Sequence, residues 1–193
     1  MWNHIKESVL HKKAELLCVI LASGLLAVVF DWLQNSPYNL VIKLVPIIIL
    51  GIVAFYVQQI LPVRIYEERG LGVLAFDYLI WSLFLEIIFF FISLKMTADL
   101  YISSFSLPFF ILSQCLFFGF ICAAEREVGL WQGIKQVFVR HFWKMVCLIA
   151  VLRVLRKLSE YLFAQLAWAR GLWEGLLYVA VVYVLIAWMK WKK

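Results

Sequence analysis

The chain is dominated by long apolar runs separated by short polar connections. A helix needs about 20 predominantly apolar residues to cross the hydrocarbon of a bilayer. Six stretches approach that length, over residues 14–33, 39–61, 73–94, 103–124, 142–167 and 173–191. Pro62 marks the expected end of the second, and Pro46 lies inside it as an expected kink. Runs such as Ile87 to Ile92 show no alternation of apolar and polar positions, which a transmembrane barrel strand requires. The reading is an all-α membrane protein: one integral membrane domain over residues 1–193, built as a bundle of about six transmembrane helices with short interfacial amphipathic helices.

Two amphipathic stretches flank these runs. Residues 129–143 place Leu130, Ile134, Val137 and Phe138 on one helical face, with Gln132, Lys135 and Gln136 off it. Trp131 and Trp143 suit the headgroup level, so a short helix lying at the membrane surface is expected. Residues 1–13 could do the same before the first crossing. Their lysines followed by a long apolar run, with no small-residue cleavage site after it, read as an uncleaved signal anchor.

Composition supports the bilayer as solvent. Hydrophobic residues make up 65% of the 193 and charged residues 16%, against about a quarter charged in a soluble domain. The positive-inside rule orients the chain. With both termini in the cytoplasm of a bacterial inner membrane, twelve of the 18 lysines and arginines face inward and six face outward. The net charge of +6 then meets anionic lipid headgroups, and nucleic acid is not an expected partner.

Three segments echo one another. Acids and an arginine precede a glycine in Glu67-Glu68-Arg69-Gly70 and in Glu125-Arg126-Glu127-Val128-Gly129. Gly129-Leu130-Trp131-Gln132-Gly133-Ile134 matches Gly171-Leu172-Trp173-Glu174-Gly175-Leu176. Duplicated helical units would produce such echoes, and so would the general fitness of glycine, leucine and tryptophan for turns at a membrane surface.

The candidate chemistry lies in charges within apolar runs. Arg153, Arg156, Lys157 and Glu160 follow i, i+3, i+4, i+7 spacing and share one helical face, where Glu160 can pair with Arg156 or Lys157. A charge at the centre of a membrane helix costs at least about 2.5–3.5 kcal/mol, so such residues normally face a bundle interior, water or a partner. A simpler arrangement has the helix leave the membrane near Leu155, with the charges in the outer headgroups. Glu86, flanked on its face by Ser82 and Ser93, is the expected counter-charge, paired with Arg153 or with Lys43. Ser103, Ser106, Ser113 and Gln114 form a polar side of the fourth run; Ser82, Ser113 and Gln114 are the expected polar lining of a pocket.

Motifs for enzymatic chemistry are not found: there is no H-E-x-x-H, G-x-S-x-G or P-loop. The four cysteines sit in apolar runs without C-x-x-C spacing, and His4, His11 and His141 lack metal-ligand spacing. No catalytic residue, metal or cofactor is expected. The expectation is a non-enzymatic subunit or accessory factor of an inner-membrane complex, with membrane lipids, including anionic lipid, and other membrane subunits as partners. The alternative is a small transporter or lipid-handling protein that binds an anionic headgroup or substrate.

Overall fold

A computed structural model describes residues 10–37, 40–67, 71–94, 106–163 and 165–190. Side chains are described over the same ranges except at residues 40–44, 90–94, 106–107 and 189–190. Among the described residues the regular structure is entirely helical. The helices are α1 (Lys13–Asn35), α2 (Leu40–Phe55), α3 (Leu61–Glu67), α4 (Gly72–Leu94), α5 (Ser106–Arg126), α6 (Leu130–Arg140), α7 (Phe142–Leu162) and α8 (Ala167–Lys190). A π-helical turn, Tyr56–Ile60, joins α2 to α3.

Five of these stretches are long and apolar enough to cross a membrane: Lys13–Asn35, Val45–Glu67, Gly72–Phe89, Pro108–Arg126 and Ala167–Trp188. The fifth expected crossing, over residues 142–167 and now α7, is not among them. It is long enough, but Lys144, Arg153, Arg156, Lys157 and Glu160 interrupt its apolar character.

The second expected helix was to stop at Pro62, yet the chain stays helical to Glu67. Proline in a helix interior lacks an N–H and its ring crowds the carbonyl four residues back, here that of Gln58. The π turn lies over that carbonyl: Leu61 N–H bonds to Tyr56 O, one residue wider than an α turn. Widening the helix just before the proline lets it continue. Pro46 lies within α2, as the sequence indicates.

The chain packs as two compact units, Met1–Arg69 with Ala150–Lys193, and Gly70–Ile149. In the first unit α8 lies along α1. Gly171 and Gly175, spaced as in a small-xxx-small pair, allow this: a Cβ on Gly171 would stand 2.5 Å from both Ala27 Cβ and Ser23 O, and one on Gly175 would stand 2.8 Å from Ser23 Cβ. Leu16, Val19, Val179 and Tyr183 form a buried cluster, with Val57, Leu61, Ile65 and Tyr66 packed against it. Tyr66 and Tyr183 meet edge to face at 5.1 Å. Lys12, at the head of α1, donates to the carbonyls of Ile65 and Tyr66 at the end of α3. That bond satisfies helix-terminal acceptors with a cation, and it holds the start of α1 beside the end of α3.

In the second unit α6 folds back onto the last turns of α5. Gly133 makes the approach possible: a Cβ there would stand 2.3 Å from Gly119 O and 2.7 Å from Ala123 Cβ. Leu130 and Val137 are buried by the same packing. The apolar stripe expected to lie on a membrane surface is therefore used largely against α5, while Phe138 remains exposed. The turn into α6 sets Glu127 in the left-handed region at φ 57°, a conformation costing a non-glycine residue roughly 1–2 kcal/mol. Val128 N–H bonds to Ala123 O across it, closing the helix end. Tyr78 of α4 stacks on Phe120 of α5 at 4.5 Å and forms the aromatic core of this unit together with Phe117.

Candidate functional site

The expected site residues fall in both units. The first carries Arg153, Arg156, Lys157, Glu160 and Lys43; the second carries Glu86, Ser82, Ser113 and Gln114. Lys43 lies on α2, and its side chain is outside those described. Ser103 and residues 1–9 also lie outside the described residues.

The basic stripe on α7 divides. Lys157 Nζ and Glu160 Oε2 pair at 2.6 Å, with both side chains more than half exposed, so the pair contributes roughly 0.2–1 kcal/mol at most. Arg156 takes a different course. It is half-buried, and its Nη2 donates to the Tyr178 hydroxyl on α8 at 2.9 Å. Its guanidinium carbon also stands 5.4 Å from the centre of the Tyr178 ring, within range of a cation–π interaction. The same hydroxyl accepts from Gln59 Nε2 at 3.2 Å. Gln59 sits in the π turn and is 8% exposed; Tyr178 is 4% exposed.

Three elements thus converge on one phenol oxygen. The π turn presents Gln59, α7 presents Arg156, and α8 presents Tyr178. Two further bonds fix α7 locally: Trp173 Nε1 donates to Leu155 O at 3.3 Å, and Ser159 Oγ donates to Arg156 O at 2.8 Å. A guanidinium held against an aromatic face keeps its remaining donors in a fixed fork, the arrangement suited to carboxylate or phosphate. Arg153 is half-buried on the same helix.

Gln59 and Tyr178 were not among the residues singled out from sequence. The available signal for Gln59 was the pair Gln58-Gln59 inside an apolar run just before a proline. Tyr178 gave no comparable signal, since tyrosine is ordinary in such a helix.

The second unit contains a polar group of its own. Glu125 and Arg126 end α5, and their side chains approach at 3.6 Å, that of Glu125 being 5% exposed. His141, between α6 and α7, is 8% exposed, and neither ring nitrogen has a hydrogen-bond partner. Burial pushes its pKa below the usual histidine value; Lys144, Arg126 and Arg140 add to the effect and Glu125 opposes it. Ser82 is buried, Ser113 half-buried and Glu86 exposed. Gln114 is 2% exposed, and its Oε1 has no hydrogen-bond partner. Among the described residues no group of three or more His, Cys, Asp or Glu could hold a metal ion. No family model, curated protein or solved structure matches the chain.

Proposed function

We propose that the chain is a multi-pass protein of the bacterial inner membrane, crossing six times with both termini cytoplasmic. In this reading it is a non-enzymatic subunit or accessory factor of a membrane complex. The observation that carries it is the exposure of long apolar faces on helices of spanning length. Leu21 and Leu25 on α1, Ile48 and Ile49 on α2, and Phe84 and Ile87 on α4 are all exposed. Continuous apolar surface of this kind marks contact with lipid or with partner helices. The crossing beyond the five long apolar stretches is α7, fifth in chain order, whose 21 residues extend about 30 Å. Seating Arg156 against Tyr178 is how it would tolerate a charge at depth. Lys12 bonded at the end of α3 supports a common side for those two ends.

Purification from native membranes in a mild detergent, followed by mass spectrometry, tests this reading. Stoichiometric membrane proteins should accompany the chain. Recovery of a chain free of partners, at the yield of a monomer, would contradict it.

A second reading is a small transporter or lipid-handling protein that takes an anionic headgroup or substrate. What favours it is the fork of Arg156 held by Tyr178, whose hydroxyl also accepts from Gln59. Native mass spectrometry should then show a bound anionic lipid that is lost in Arg156→Gln.

A further inference from the structure

The surface of α6 facing away from α5 has an unusual composition. With Leu130, Gly133 and Val137 buried, the residues left outward at the elbow between α6 and α7 are large and apolar. Val139 is 74% exposed, Trp143 76%, Phe138 45% and Phe142 42%. They form one patch: the Phe138 and Phe142 rings lie 6.4 Å apart, and those of Phe142 and Trp143 lie 5.5 Å apart. Arg140, exposed, and Lys144, half-exposed, are interleaved with these residues in the sequence. Aromatic rings interleaved with cations match the boundary between acyl chains and headgroups, where rings sit at the level of the carbonyls and cations meet phosphate.

We infer that the α6–α7 elbow, through Phe138, Val139, Phe142 and Trp143 with Arg140 and Lys144, seats in the anionic headgroup layer of the bilayer. This rests on the membrane reading above and adds a specific contact to it. The occupant is lipid because cations alternate in sequence with the exposed apolar residues, as a phosphate layer over acyl chains requires. The elbow is also tied to a helix of spanning length. Gly133 meets Gly119 and Ala123, and Cys122 Sγ lies 3.8 Å from Gln136 Oε1, so α6 runs beside the last turns of α5 before its polar end at Glu125 and Arg126. The contact differs from the one that helical periodicity alone indicates: the stripe through Leu130 and Val137 serves α5, and the elbow serves the lipid.

The test uses the full chain with Cys18→Ser and Cys147→Ser, which removes the exposed thiols. A nitroxide is placed at Val139→Cys or, separately, at Leu25→Cys on α1. Each protein is reconstituted in lipid discs of phosphatidylcholine, with or without phosphatidylglycerol. Collision with oxygen and with a water-soluble nickel chelate reports depth. The label at position 25 should favour oxygen strongly in both discs. The label at 139 should read the headgroup boundary in phosphatidylglycerol discs and shift toward water without that lipid. Arg140→Gln with Lys144→Gln should abolish the shift. A fully aqueous label at 139 beside a hydrocarbon label at 25 overturns the elbow contact and leaves the membrane reading standing. Aqueous labels at both positions overturn both. A label at 139 shielded from both reagents means that protein covers the elbow, and a depth indifferent to lipid charge means that the layer is not selected for its anions; either result overturns the inference.

Discussion

The two units solve the same packing problem, and each carries its own buried polar group. In each, a glycine from a Gly-Leu-Trp-x-Gly segment lets one helix press onto small residues of another: Gly171 and Gly175 against Ser23, Gly24 and Ala27, and Gly133 against Gly119 and Ala123. The echoes seen in sequence therefore have a shared mechanical role, whatever their origin. In the first unit the polar groups near this joint are tied together, with Arg156 and Gln59 both donating to Tyr178. In the second, both nitrogens of His141 and one oxygen of Glu125 are buried without a hydrogen bond. Buried polar atoms left in that condition cost free energy. Steric fit is thus common to both units, and the three-way hydrogen-bonded cluster at Tyr178 belongs to the first.

The largest expected effect breaks the common feature. Gly133→Leu and Gly171→Leu should each destabilise the protein by more than about 3 kcal/mol, since the new side chain meets backbone atoms that cannot swing aside. Unfolding in detergent measures this. Gly51→Leu is the control, because a Cβ there meets nothing within 4 Å. Equal loss at all three positions would remove the special role of the joints.

Tyr178→Phe probes the satisfied network. It deletes one acceptor and strands two donors, so the expected loss is about 1–3 kcal/mol. A matched loss of anionic-lipid binding would tie the network to the second functional reading.

The unsatisfied group predicts a pH response in the second unit. The pKa of His141 is lower in the folded state than in the unfolded one, where it is about 6.5. The unfolded state therefore binds the proton more readily. Stability should be complete above about 6.5 and decline as pH falls below that value toward the folded pKa. Melting curves at descending pH check this, and His141→Gln should flatten the part of the slope that this residue contributes. No difference between the two slopes would remove His141 from the account.

The smallest effect should be favourable. Gly51→Ala, in open space within α2, should raise stability by roughly 0.5–1 kcal/mol through helix propensity alone. A comparable gain from Gly133→Ala would contradict the close packing assigned to that position.

Much of the architecture was legible along the chain. The lengths of the apolar runs locate α1, α4 and α5 to within a few residues, because helix formation in a long apolar run is a local consequence of composition. The amphipathic segment at α6 was legible for the same reason. Its partner was not: a stripe of Leu130, Ile134 and Val137 is equally suited to lipid and to another helix, and the glycine at 133 acquires meaning only opposite Gly119. Arg153, Arg156, Lys157 and Glu160 all lie on α7. Spacing alone left two partners open to Glu160. The structure pairs it with Lys157, while Arg156 turns to Tyr178 on another helix.

From the sequence alone came the helical class, the approximate position of each long helix and the presence of charges inside apolar runs, since each depends on neighbours within a few residues. Tertiary structure alone decided which side of α6 is covered, how the chain passes Pro62 through a π turn, that Arg156 and Gln59 share one hydroxyl, and that His141 is buried without a hydrogen bond. The physical reason is reach. Hydrophobic periodicity acts along one helix, whereas a hydrogen bond between Gln59 and Tyr178 requires two helices distant in sequence to meet at a particular register and rotation.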